Sequence, residues 1–271
     1  MRKLKIFCTT INYYKLIDKL PSYIMPLGLG KNLFPTHWLD EKKGSNITHL
    51  NTYYGELTGI YWLWKNKLHE MSKNDLIGIC HYRKLWLNKN YETKQKFTFT
   101  SLYSNLLNSK EILNEDFNNY QVQPIVFKNK NLLIDFEQIH RTDILTECLS
   151  FVNKEYQNSF FNHLKDNKLY PLNMFITDVN SFEKYCEEIF PWLEKCLKLC
   201  LKKNLCKDYN VRLPAFLAER FTSFWFSRYK NKKNLSYARL GKNFLSNNLN
   251  KFINPIKVPL TFRMFPTIHK Y

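Results

Sequence analysis

His81, Tyr82 and Arg83 follow directly on the apolar run LIGIC at 76–80, and Lys84 comes next. Hydrogen-bond donors and positive charge at the end of a buried strand are what open α/β sheets use to build ligand sites. The chemistry on offer is recognition of an anionic small molecule. If the strand continues, His81 and Arg83 alternate onto one side of it with Tyr82 opposite; the plainer reading makes His81 a core histidine and Arg83 a surface ion-pair partner. Glu219 is the second candidate, a lone carboxylate in the apolar stretch AFLAERFTSFW and the last acidic residue of the chain. A carboxylate so placed can act as a general base, or it can pair with Arg220, Arg212 or Arg239. Asn173 is the third, an amide able to donate and accept among the apolar residues of LNMFIT.

These residues need elements to hold them. Tyr53, Leu57, Ile60, Tyr61 and Trp64 recur at helical spacing and predict a helix over 52–67, which carries Tyr54 and Glu56. Asn74-Asp75 then turns the chain into the strand at 76–80. A first strand is expected over 4–9, ending in the small hydroxyl residue Thr9. Pro21, Pro26, Gly28, Gly30 and Pro35 make 19–46 read as loop, and the Gly28/Gly30 pair is too short a pattern for a phosphate loop. Helical spacing returns over 102–114 and 135–153, with a strand at 122–127 between them. Tyr170-Pro171 bends the chain into a strand at 172–177. Ser181 opens a helix striped by Phe182, Tyr185, Ile189, Trp192, Leu193 and Cys196, with Pro191 as a kink or break. A last helix covers 215–228. The expectation is one α/β domain over 1–228 with a helical, basic extension over 229–271.

Composition narrows the function classes. At 271 residues and 44% hydrophobic the chain can bury a substantial core, which excludes disorder throughout. No run of about 18 apolar residues occurs and the N-terminus lacks a secretory pattern, so a cytoplasmic location is expected. The 7 cysteines are odd in number and form no Cys-x-x-Cys pair, which favours reduced structural thiols. The net charge of +18 is unevenly placed. Beyond Glu219 there is no acidic residue, while Arg220, Arg228, Lys230, Lys232, Lys233, Arg239, Lys242, Lys251, Lys257, Arg263 and Lys270 follow. Such a segment is drawn to phosphate-rich surfaces; lipid headgroups, nucleic acid and diphosphate substrates all satisfy its electrostatics.

Four stretches carry a resemblance: 44–66 (GSNITHLNTYYGELTGIYWLWKN), 76–84 (LIGICHYRK), 169–192 (LYPLNMFITDVNSFEKYCEEIFPW) and 214–225 (PAFLAERFTSFW). In this order they resemble the signature blocks of small bacterial glycosyltransferases of capsule, O-antigen and lipooligosaccharide synthesis, a family long catalogued as a domain of unknown function, with galactofuranosyl and galactosyl transferases among its members. The resemblance implies a GT-A-like fold, a Rossmann-related mixed sheet flanked by helices. It implies a UDP-sugar donor bound at the C-terminal ends of the strands, with a lipid-linked oligosaccharide acceptor beside it. On the donor side stand Thr9, Asn46, Tyr54, His81 and Arg83; on the acceptor side Asn173, His140 and Arg220, with Glu219 as catalytic base.

Two departures qualify the donor side. Where most GT-A enzymes carry an Asp-x-Asp that holds a divalent metal, this chain has His81-Tyr82-Arg83 and Lys84, so cationic side chains are expected to replace the ion. Relatives commonly show Gly-Asp-Asn where Gly44-Ser45-Asn46 stands, leaving Asp40 or Glu41 as the substitute acid. No metal ligand is assigned, and dependence on manganese or magnesium stays open. The expectation is a glycosyltransferase moving a hexose, as galactofuranose or galactopyranose, on the inner face of the cell membrane and held there by anionic lipid, with no nucleic-acid partner. The rival is a non-catalytic basic protein binding nucleic acid or anionic membrane. That rival predicts aromatics and cations on one exposed platform, whereas Tyr53, Tyr54, Tyr61, Trp62 and Trp64 sit at core-like helical spacing.

Overall fold

The computed structural model describes residues 2–89, 99–240 and 254–256. The chain opens with β1 (Leu4–Thr10), β2 (Ile24–Gly28) and β3 (Leu39–Asp40), then α1 (Asn51–Tyr54), α2 (Leu57–Asn66), β4 (Leu76–His81) and its hairpin partner β5 (Lys84–Trp86). The middle holds α3 (Phe99–Asn105), α4 (Ser109–Asn114), β6 (Asn119–Val122), β7 (Ile125–Val126), α5 (Leu132–His140), α6 (Ile144–Leu149), α7 (Lys154–Leu164) and β8 (Lys168–Leu169). It finishes with β9 (Phe175–Asp178), α8 (Val179–Lys202), α9 (Leu213–Ser227), β10 (Lys232–Leu235), β11 (Tyr237–Arg239) and β12 (Asn254–Ile256).

The main sheet has the order β10-β6-β9-β4-β1-β2-β3. Its neighbours pair in parallel except at β9, which runs antiparallel to both β4 and β6. That reversal matters for function, because it brings the N-terminal end of β9 to the edge where β1, β4 and β6 finish. Sheet faces follow from alternation: Phe7, Ile77 and Ile79 face the cluster built with α2, α8 and α9, while Leu4, Ile6, Cys8, Leu76 and Cys80 face the opposite core. Strands buried on both faces read as continuous apolar runs, which is why β1 and β4 stand out in the sequence. Among the described residues no helix is long and apolar enough to cross a membrane.

Several expectations shift. The stretch 19–46 holds β2 and β3, hidden in the sequence because Pro26 and Gly28 sit inside β2; in β2 Gly28 has no side chain, and a Cβ there would overlap the Phe34 ring. The helix expected over 52–67 is two helices, divided at Gly55, whose φ of 54° suits glycine and where a Cβ would overlap the Arg212 guanidinium. The run 122–127 divides into β6 and β7, and 135–153 into α5 and α6. Pro191 does not break α8, which runs 24 residues from a cap in which Asp178 accepts from the Ser181 N–H. The strand expected from 172 begins only at Phe175. The boundary at 228 falls short of the sheet's end, because β10 pairs with β6 and β11 with β5. Residues 232–239 are therefore strands of the sheet rather than part of a helical extension. Lys242, Lys251, Lys257, Arg263 and Lys270 lie outside the described residues.

Gly78 sits at the centre of the sheet, where a Cβ would lie 2.9 Å from Ile176 Cγ1 and 3.1 Å from Ile6 Cγ1. Gly78→Val should lower unfolding stability by about 1–3 kcal/mol through overpacking, measured by urea titration. An unchanged midpoint would show that the two strands have room to separate.

Candidate active site

The site is built around Leu172 and Asn173, which connect the Pro171 bend to β9. Both have positive φ, 85° for Leu172 and 48° for Asn173. Asparagine tolerates this region, but leucine there is strained by about 1–3 kcal/mol. The strain is held from two sides. Leu172 N–H donates to Glu219 Oε1 on α9 at 2.6 Å, and Leu172 O accepts from His81 Nε2 at the end of β4 at 2.7 Å. Asn173 is buried and locked in the same way: its Nδ2 donates to Glu56 Oε1 at 2.9 Å and its Oδ1 accepts from Thr222 Oγ1 at 2.9 Å. Thr222 in turn meets the buried Tyr185 hydroxyl at 2.7 Å.

His81 has a defined tautomer. A carbonyl only accepts, so Nε2 carries the proton and Nδ1 faces the Thr9 hydroxyl at 2.9 Å. Burial pushes His81 below its ordinary value, against the pull of Glu56. Burial alone would raise the Glu56 carboxyl; the Arg212 guanidinium and the Asn173 amide pull the other way, and it lies below the usual range. Arg212 donates to Glu56 Oε2 at 2.8 Å. Lys84 completes the rim. Burial lowers its ammonium group below the ordinary value, against Glu56 and Glu219, yet neither carboxylate forms an ion pair with it among the described residues.

The expected residues fall into two groups. Thr9, His81, Glu219 and Asn173 converge, with Glu56 beside them. In each of them except Glu219 the polar atoms are turned inward, so His81 and Thr9 brace the Leu172 bend rather than present charge, and Asn173 is a brace rather than an open sugar reader. Arg83 departs from the alternation expected of it: His81 pairs with Lys84 across a tight turn, leaving Arg83 exposed at its tip with its guanidinium 5.1 Å from the Tyr82 ring centre. The other four are placed elsewhere. Asn46 closes its own loop, bonding Thr48 N and Gly44 O. Tyr54 is 2% exposed in the core. His140 is buried between Phe136 and Phe216 and bonds Asn210 at 2.8 Å. Arg220 is 3% exposed, pairs with Asp135 at 2.7 Å and reaches Glu219 Oε2 at 3.3 Å, so it holds α9 against α5 instead of meeting an acceptor.

Arg212 and Lys84 are the rim cations that the residue pattern alone undervalued. Lys84 had a signal, its position straight after His-Tyr-Arg. Arg212 had none, since it lies 156 residues from Glu56. At the end of β4 the residues do not fit a divalent metal: both His81 nitrogens are engaged and the next side chains are a phenol and two cations. The aromatics of 53–64 are core or pack on it, and do not form an exposed platform.

Residues 5–232 match the family described as a domain of unknown function, DUF4422. The chain belongs to that family. Among solved structures it is similar to the apo structure of WbbM, described as a bifunctional glycosyltransferase, with a TM-score of 0.69 at 18% identity. The match covers 89% of this chain and 46% of that one, so the chain spans about half the length of that relative. The likeness shows the fold, a GT-A-like mixed sheet flanked by helices. Among curated proteins none matches the sequence significantly.

Burial pushes both His140 and His163 down to about 4. The unfolded chain protonates histidine near 6.5, so between there and about 4 it binds more protons than the folded chain, and stability falls as pH drops through that window. Urea midpoints should decline from pH 6.5 to 4, and the decline should be shallower in His140→Phe. Parallel slopes in the two proteins would show that His140 is protonated in the folded state.

Proposed function

We propose that this chain is a glycosyltransferase moving a hexose, as galactofuranose or galactopyranose, from a UDP sugar to a lipid-linked surface glycan. The observation that carries it is the rim itself: two carboxylates, Glu56 and Glu219, and the cations Lys84 and Arg212 stand at the C-terminal edge of a GT-A-like sheet. WbbM supports the class of reaction by what its description says of it.

Transfer breaks the bond between the anomeric carbon and the diphosphate oxygen and forms one to the acceptor hydroxyl oxygen. The hydroxyl proton must go to a base and the diphosphate keeps the bonding pair. Glu219 is the base in this reading, oriented by the Leu172 N–H and by Arg220. Lys84 and the exposed Arg83 supply charge to the departing diphosphate, in the place where a metal ion acts in other enzymes. His81 contributes as a neutral brace. The enzyme works in the cytoplasm at the inner face of the membrane, where the acceptor is anchored and where a basic chain gathers on anionic lipid. The apolar residues Phe244, Leu245, Leu249, Phe252 and Ile253 would share in that contact; they lie outside the described residues.

A ligand that binds only the folded state raises its melting temperature, so UDP sugars should do so and other nucleotides less. Glu219→Gln keeps an oxygen for Leu172 N–H but loses basicity. Turnover should fall about a hundredfold or more with the donor-induced melting shift retained; near-normal turnover would leave Glu219 as a brace alone. Chelator treatment should leave much of the activity. Complete loss, restored by manganese, would mean that carboxylates such as Asp40 hold a cation and that Lys84 and Arg83 do not replace it.

A further inference from the structure

β7 and β8 form a two-stranded ribbon at the same edge of the main sheet as the site, since β7 follows the end of β6 and β8 leads through Tyr170 and Pro171 into Leu172. Directly paired residues of an antiparallel ribbon share a face. Ile125 and Leu169 share the buried one, at 9% and 4% exposure. Val126 and Lys168 share the outer one, with Val126 38% exposed. The last turn of α7 adds Phe161, 36% exposed, and the residue that follows the helix adds Lys165, whose ammonium lies 4.1 Å from the Phe161 ring centre. The loop after β7 adds Lys128, and it is tied to the segment before β8 by Phe127 N–H to Asn167 O at 2.9 Å and Leu132 N–H to Asp166 O at 3.0 Å. Lys128, Lys165 and Lys168 are exposed and make no ion pair among the described residues. The one acid in the ridge is Asp166, whose carboxylate accepts from Asn167 N–H. Lys232, at the start of β10, is close enough to Lys168 for the two charges to repel.

We propose that this ridge docks on an anionic lipid bilayer and sets the site's rim at the membrane surface. Aliphatic and aromatic tips between unpaired lysines suit the headgroup layer, where the apolar groups insert and the ammonium groups meet phosphate. Nucleic acid would need several flat rings free to stack, and Phe161 is the one exposed aromatic residue among 125–128 and 161–168. Leu172 lies four residues beyond Lys168 along the chain, so a lipid-anchored acceptor would reach the bend from the docked side. That last link rests on the transferase reading; the docking does not.

The test is sedimentation of the full chain with vesicles of phosphatidylcholine alone or mixed with phosphatidylglycerol. A Lys128→Gln, Lys165→Gln, Lys168→Gln variant should bind the anionic vesicles about a hundredfold more weakly, at about fivefold per lysine. A Val126→Ser, Phe161→Ser variant should also bind them more weakly, while both keep the parent's melting shift with UDP sugar. Removing three exposed lysines from α8, Lys184, Lys195 and Lys202, should change binding far less. Docking at the ridge is overturned if the ridge variant binds like the parent, or if the α8 variant loses as much. It is also overturned if the ridge variant loses binding to single-stranded RNA while vesicle binding holds. Absence of any UDP-sugar shift in the parent would sink the transferase reading and leave the vesicle comparison standing.

Discussion

One backbone unit organises the site. Leu172 adopts a conformation that a leucine holds only when its surroundings compel it, and they do so through both its polar groups, with Glu219 taking the N–H and His81 giving its proton to the carbonyl. A hydrogen bond to a carboxylate contributes about 1.5–3 kcal/mol and one between neutral groups about 0.5–1.5 kcal/mol. Together they match the strain, so the bend is stable without being slack. Because His81 ends β4 and Glu219 sits on α9, the bend fixes the distance between the sheet and the helix that carries the proposed base.

The rest of the polar network follows from what burial demands. Asn173, Asp135 and Arg220 are nearly inaccessible, and a buried polar group left unpaired costs more than its hydrogen bond returns. Asn173 is therefore met by Glu56 and Thr222, and Asp135 by Arg220 and by Lys130 at 2.7 Å. A buried ion pair of this kind adds little net stability, yet removing one member leaves the other uncompensated. It ties α5 to α9 in one arrangement. Lys84 stands outside this pattern. It is desolvated, it faces two carboxylates that already have other partners, and a cation in that condition has most to gain from an arriving phosphate.

The sequence made legible what is local or doubly buried. β1 and β4 read clearly because two-sided burial leaves an apolar run, and α9 and the stripe of α8 read clearly because side chains at helical spacing face one core. Glu219 stood out as a lone acid on an apolar helix. What failed depends on distant partners. Pro26 and Gly28 mark loops on average, but β2 tolerates them between β1 and β3. Nothing near Leu172 signals a left-handed leucine, since the residues that hold it lie 91 and 47 positions away. His140 and Arg220 carry the residue types of a site, yet their partners are Asn210 and Asp135 and they face inward.

Carboxylate and imidazole clamp the Leu172 bend from its two sides. Amide hydrogen exchange at Leu172 reads this clamp, because the half-buried residue lies outside any helix or strand. The Leu172 amide should be strongly protected in the parent and lose most of that protection in Glu219→Ala, with the amides of β4 unaffected. Exchange of the Leu172 amide in the parent at the rate of an open loop would contradict the clamp.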